Sequence, residues 1–92
     1  MRIHFIKNVH FTKLIKVNGK SVKEFNFRKI RNGEDELFSV DVSDDRGNRI
    51  MFQMHKDNGA WHITDGLLPA WITENETRLH ELIEEELKNL MD

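Results

Sequence analysis

Short segments of alternating apolar and polar residues fill residues 10–63, and pairs of asparagine and glycine separate them. An Asn-Gly pair between strand-like segments is a strong hairpin signal, because both central residues of a type I′ turn adopt positive φ. We therefore predict five antiparallel strands joined as a meander. The four pairs that mark the turns are Asn18-Gly19, Asn32-Gly33, Gly47-Asn48 and Asn58-Gly59.

The second hairpin has the clearest register in the sequence. A two-residue turn at Asn32-Gly33 sets Phe27 opposite Phe38 and Lys29 opposite Glu36. This register gathers apolar side chains on one face and pairs opposite charges. The predicted pairs are Arg31–Glu34, Lys29–Glu36, Phe27–Phe38, Phe25–Val40 and Lys23–Val42.

The other three connections are placed in the same way. The first and fourth are predicted to be two-residue turns. The third is predicted to be a loop over 45–47 with Gly47 in the left-handed conformation. The predicted pairs are Leu14–Lys23 and Thr12–Phe25, then Val42–Ile50, Val40–Phe52 and Phe38–Met54, then Met54–Ile63 and Lys56–Trp61.

One face of this sheet collects the large apolar residues and is the predicted core. After a connector over 64–72, an amphipathic helix over 73–91 covers that face. Thr73 and Glu76 have the spacing of a capping box at its start. The strand-like residues 3–7 are predicted to extend the first strand. The predicted core residues of the sheet are Leu14, Phe25, Phe27, Phe38, Val40, Val42, Ile50, Phe52, Met54, Trp61 and Ile63.

The opposite face mixes apolar with charged residues. One helix cannot cover both sides of five strands, and apolar patches rimmed by charge are typical of interfaces. We therefore expect this face to bind a ligand or a second copy of the chain. By alternation it carries Phe11, Lys13, Ile15, Val17, Val22, Glu24, Asn26, Arg28, Ile30, Leu37, Ser39, Asp41, Arg49, Met51, Gln53, His55 and His62.

Length and composition indicate one domain over residues 1–92, with 38% hydrophobic and 33% charged residues. The chain has no cysteine, no signal-peptide pattern and no apolar stretch long enough to cross a membrane, so we expect a cytoplasmic protein. The net charge of −2 hides +8 over residues 1–31 and −10 over 32–92. Such asymmetry is typical of a protein that binds an anionic partner. It also arises where basic strands lie beside acidic ones within one sheet.

No motif for catalysis is present: the sequence has no nucleophile elbow, no phosphate-binding glycine loop and no His-Glu-x-x-His. We expect no enzyme activity and no cofactor. His55 and His62 fall opposite each other, but spacing supplies no third ligand, so a metal site is not predicted.

Residues on the mixed face could hold single-stranded DNA or RNA, because basic groups bind phosphates while aromatic side chains stack on bases. The candidate nucleic-acid-binding residues are Phe11, Lys13, Arg28, Arg49, Gln53 and His55. The alternative hypothesis is a homodimeric protein-interaction domain without nucleic-acid activity, in which the same face is buried.

The order of elements, together with residues 40–50 (VDVSDDRGNRI), 66–72 (GLLPAWI) and the final helix, resembles the Whirly-like fold. That fold is shared by plant Whirly proteins, by the positive cofactor type of transcriptional coactivator and by a small family of bacterial single-domain proteins. The resemblance implies a homodimer that binds single-stranded nucleic acid across its strands.

Overall fold

The computed structural model describes residues 9–32 and 35–90. Its five strands pair in chain order as one antiparallel meander, and two helices follow. The predicted α+β fold, with a C-terminal helix on one face of the sheet, is confirmed; the predicted extension over residues 3–7 lies outside the described residues. The elements are β1 (His10–Val17), β2 (Ser21–Asn32), β3 (Asp35–Ser43), β4 (Arg49–Asp57), β5 (Ala60–Ile63), α1 (Ala70–Thr73) and α2 (Glu76–Leu90).

The third and fourth hairpins have the predicted register. Val42 pairs with Ile50, and Met54 pairs with both Phe38 and Ile63. Gly47 has φ +83° in the loop between β3 and β4. Asn58 and Gly59 have φ of 52° and 82°, as a type I′ turn requires.

The second hairpin keeps the predicted faces, but its predicted register is wrong by two residues. Phe27 pairs with Val40 rather than Phe38, and Lys29 pairs with Phe38 rather than Glu36. Because side chains alternate with a period of two, apolar alternation fixes the face but does not distinguish registers that differ by two. Lys29 still reaches Glu36 diagonally, with 3.8 Å between Nζ and Oε1.

The first hairpin has the opposite parity to the prediction. Val17 pairs with Ser21, so three residues rather than two form the connection, and Lys20 N donates to Val17 O. The one-residue change turns every side chain of β1 to the other face. Ile15 and Val17 are buried, whereas Leu14 is 71% exposed. Burying two branched side chains outweighs burying one leucine and thereby selects the longer turn.

The core lies between the sheet and α2. From α2 it takes Leu79, Leu82 and Ile83, while Ile72 is buried from α1. Among the residues whose burial is described, no polar or charged residue is buried. The sheet contributes Ile15, Val17, Phe25, Phe27, Phe38, Val40, Val42, Phe52, Met54 and Trp61.

The predicted capping box is wrong because the helical region is divided. Thr73 lies in α1, where its hydroxyl donates to Ala70 O, and α2 starts three residues later at Glu76. Asn75 lies between the two helices, and its side-chain Nδ2 donates to Trp71 O. In the part of the chain that the structure describes, no helix has the length and apolar character needed to span a bilayer.

One side of α2 is hydrogen-bonded to the outer edge of β5. Glu76 Oε2 accepts from Ile63 N at 2.7 Å, and His80 Nδ1 accepts from Trp61 N at 3.0 Å. Glu84 Oε2 accepts from the indole Nε1 of Trp61 at 2.9 Å. These three acceptors recur every four residues and hold α2 along β5.

Candidate interaction face

The side of the sheet away from α2 is called the open face. Register places its residues in rows that cross the strands, because directly opposed residues share a face. One row contains Thr12, Asn26, Asp41 and Met51, and the next contains His10, Arg28, Ser39 and Gln53. Further toward the β4–β5 turn lie Ile30, Leu37, His55 and His62.

A chain of hydrogen bonds crosses four strands in the middle of this face. The hydroxyl of Thr12 donates to Asn26 Oδ1 at 2.7 Å, and Asn26 Nδ2 donates to Asp41 Oδ1 at 3.0 Å. Arg49 Nη2 donates to Asp41 Oδ2 at 3.0 Å. Each side chain fixes the orientation of the next, so this polar surface is preorganised.

Asp41 is the centre of this network, and its side chain is only 17% exposed. Partial burial alone raises the pKa of the carboxyl. Hydrogen bonds from Arg49 and Asn26, together with the charges of Arg49 and Arg28, outweigh that effect and lower the pKa of Asp41 below its ordinary value. The carboxylate form is therefore the one that the network stabilises.

Two arginines flank a shallow depression of about 260 Å³ beside Asp41. Arg49 is held by Asp41. Arg28 is exposed and makes no ion pair with any residue that the structure describes. His10 and Thr12 complete the strand-edge side of the depression. The arrangement offers one free guanidinium beside one that is already neutralised.

Apolar side chains surround the polar centre of the open face. Leu14, Val22 and Met51 are exposed by 71%, 60% and 59%. Ile30 and Leu37 lie opposite each other and are half-buried. Exposed aliphatic groups around a fixed polar network are a composition typical of protein interfaces.

Four of the six predicted nucleic-acid-binding residues lie on the open face. Arg28 and Gln53 are in one row with Ser39 between them, Arg49 lies at the start of β4, and His55 lies beside Leu37. Arg28, Arg49 and Gln53 are exposed, and His55 is half-buried. The structure thus brings these four residues to the predicted side of the sheet.

The predicted placement of Phe11 and Lys13 is wrong. The Phe11 ring stacks on Phe27 with centroids 4.6 Å apart, and it also meets the edge of Phe38. Lys13 Nζ lies 3.5 Å from Glu86 Oε1 on α2. Both residues face the helix because β1 has the opposite parity. Phenylalanine and tryptophan are therefore absent from the open face as far as residues 9–32 and 35–90 define it.

His55 and His62 are opposed across β4 and β5, as predicted. His62 Nδ1 lies 3.7 Å from Glu76 Oε1 on α2. No group of three or more potential metal-ligating side chains occurs within the described ranges.

The prediction from sequence missed the role of Asp41 as the centre of the polar network. It paired Phe25 with Val40 and thereby placed Asp41 opposite Glu24, whereas Asp41 pairs with Asn26. It also placed Thr12 on the core side, although Thr12 starts the network. The length of the first turn and the position of the second, which Asn32 and Asp35 flank, are the signals that would have found both residues.

Comparison with known proteins finds no matching family model, no matching curated protein and no matching solved structure. The resemblance to the Whirly-like fold family stays a prediction.

Proposed function

We propose that the protein is a binding module that self-associates through the open face. The observation that carries this proposal is the coexistence of the ordered Thr12–Asn26–Asp41–Arg49 network and the exposed Leu14, Val22 and Met51. A preorganised polar centre loses little side-chain entropy on binding, and the apolar groups around it gain from burial. Catalysis is not part of this proposal.

The charges of the open face favour binding of a second copy of the chain over binding of a partner whose charges are all of one sign. Lys16 and Arg28 are near Glu24 and Asp41 on the same side of the sheet. A two-fold interface brings a surface against itself, so it requires a patch that carries both complementary signs. Two open faces could pack as stacked sheets, with the aliphatic residues filling the space between them.

Light scattering over a micromolar to millimolar range tests self-association. We expect the mass to rise toward that of a dimer, and Met51→Asp or Leu37→Asp to keep it at that of a monomer. Leu67→Asp is the matched control, because Leu67 is 97% exposed and lies in the connector after the sheet. A monomeric wild-type protein at every concentration would contradict the proposal.

A second candidate function is the binding of single-stranded DNA or RNA on the same face. The guanidinium of Arg28, which forms no ion pair with the described residues, lies beside Arg49, with Gln53 and His55 further along the sheet, and this arrangement favours it. The placement of Phe11 in the core removes the predicted base-stacking residue, so we rank this candidate below self-association.

Fluorescence anisotropy with a labelled oligothymidine in a salt series tests this second candidate. Binding through phosphates must weaken steeply as salt rises. Arg28→Ala should cost about 1 kcal/mol or more and reduce the salt dependence, if its guanidinium meets a phosphate. Arg78→Ala, on the exposed side of α2, is the control. Absence of binding at low salt would exclude this function.

A further inference from the structure

The two edges of the sheet differ in how their backbone groups are satisfied. At β5 the outward amides of Trp61 and Ile63 donate to side chains of α2. At β1 the bond from Lys29 N to Val9 O shows that odd-numbered residues exchange hydrogen bonds with β2. By alternation, the backbone groups of His10, Thr12, Leu14 and Lys16 point away from the sheet.

These outward groups of β1 make no hydrogen bond to any residue within the described ranges. β1 is eight residues long, and Leu14 in its middle is 71% exposed. A row of unpaired amides and carbonyls on a long edge strand is a template for another strand. We propose that β1 accepts an acidic, extended segment of a partner protein by strand addition, at a surface distinct from the centre of the open face.

Charge determines the kind of partner. From His10 to Lys23 the chain has four lysines and no acidic residue. Lys13 and Lys23 are neutralised by Glu86 and Asp45. Lys16 and Lys20 are exposed and make no ion pair with the described part of the chain.

This free positive charge favours acidic side chains on the added strand. The strand β1 of a second copy would bring its own lysines to the same edge, which like-charge repulsion disfavours. Side chains of an added strand alternate between the two faces. The acidic ones belong on the open-face side, beside Lys16, and the apolar ones on the helix side, beside Phe11 and Ile15.

The probe is a soluble peptide of alternating valine and glutamate, about as long as β1. Amide hydrogen exchange is followed by NMR on the intact protein. We expect the amides of Thr12, Leu14 and Lys16 to exchange at least about tenfold more slowly with the peptide, because they acquire acceptors. A twin peptide with lysine in place of each glutamate should give no protection.

Two substitutions at Leu14 separate backbone pairing from side-chain contact. Proline is tolerated on an edge strand where its nitrogen points away from the ladder, so Leu14→Pro should fold but lose peptide binding. Leu14→Ala keeps the amide and should retain binding. Circular dichroism and thermal unfolding verify that both variants fold. If Leu14→Pro does not fold, Lys16→Glu replaces it, and we expect this variant to bind the acidic peptide more weakly.

Met51→Asp, which disrupts the proposed self-association, should leave peptide binding unchanged. Three results would overturn the proposal: no protection of these amides at millimolar peptide, equal binding of the lysine twin, or concentration-dependent protection of β1 without peptide that persists in Met51→Asp. The last result would assign the edge to a second copy.

Discussion

At the scale of single residues, Asp41 determines the character of the open face. It accepts hydrogen bonds from Asn26 and Arg49 and is mostly shielded from water. A carboxyl whose pKa is lower in the folded than in the unfolded chain stabilises the fold when it is ionised. That contribution is complete above the unfolded pKa and disappears as the pH falls through the folded pKa.

Asp41→Asn should therefore lower the free energy of unfolding by about 1 kcal/mol at neutral pH, because charge-assisted hydrogen bonds are lost. The difference from wild type should begin to shrink as the pH falls below about 4, the ordinary pKa of aspartate, and should vanish only below the lowered pKa of the folded Asp41, where the wild-type carboxyl is also neutral. Urea denaturation from pH 2.5 to 7 measures both values. Asp57→Asn, an exposed change at the end of β4, is the control. A difference that stays constant across this range would contradict the role given to Asp41.

At the scale of elements, α2 acts as the cover of an edge strand. Glu76 and His80 are one helical turn apart and accept from Ile63 N and Trp61 N, two residues apart in β5. The rise of one helical turn, about 5.4 Å, is close to the spacing of alternate strand residues, about 6.6 Å, so side chains can bridge the remaining difference. The helix thereby prevents another strand from adding to β5.

Glu76→Ala should accelerate hydrogen exchange at the Ile63 amide about tenfold or more, because that amide loses its acceptor. Glu76→Gln keeps an acceptor oxygen and should preserve most of the protection. The amide of His62, which pairs with His55 on β4, is the internal reference. Unchanged exchange at Ile63 in Glu76→Ala would show that α2 does not cover this edge.

The sequence predicted the meander and the last two registers, and turn residues with positive φ lie at the predicted places in the first turn as well as in the last two. Gly47 and Gly59 show this directly. It mispredicted β1 because Asn18-Gly19 is compatible with both a two-residue and a three-residue connection. The choice between them depends on the burial of Ile15 and Val17 against the rest of the core, which is not a local property of the turn.

The parity of β1 predicts opposite results for two neighbouring truncations. Ile15→Ala should lower the free energy of unfolding by about 2–4 kcal/mol, because it leaves a cavity in the core. Leu14→Ala should change it by less than about 0.5 kcal/mol, since its side chain is already exposed. Chemical denaturation of both variants measures the free energy of unfolding. A larger decrease for Leu14→Ala than for Ile15→Ala would contradict the three-residue turn and support the predicted two-residue turn.

At the scale of the whole molecule, the sheet has one face covered by α2 and one face whose described residues have no covering element. The four predicted binding residues on the open face follow from alternation along β2 and β4, which the sequence specifies well. The network around Asp41 does not follow from alternation, because it depends on cross-strand pairing, which is set by the length of the first turn and the position of the second. Self-association would bury this face and leave α2 on the outside of the assembly.

The most direct test of self-association through the open face is the oxidation of Met51 by dilute peroxide, followed by mass spectrometry at low and high protein concentration. Met51 is 59% exposed on the open face, while Met54 is fully buried in the core and serves as the internal reference. Oxidation of a methionine depends on access of the oxidant to its sulfur. We predict that Met51 reacts several-fold more slowly at millimolar than at micromolar protein, with Met54 slow at both. An equal rate for Met51 at both concentrations would contradict burial of the open face.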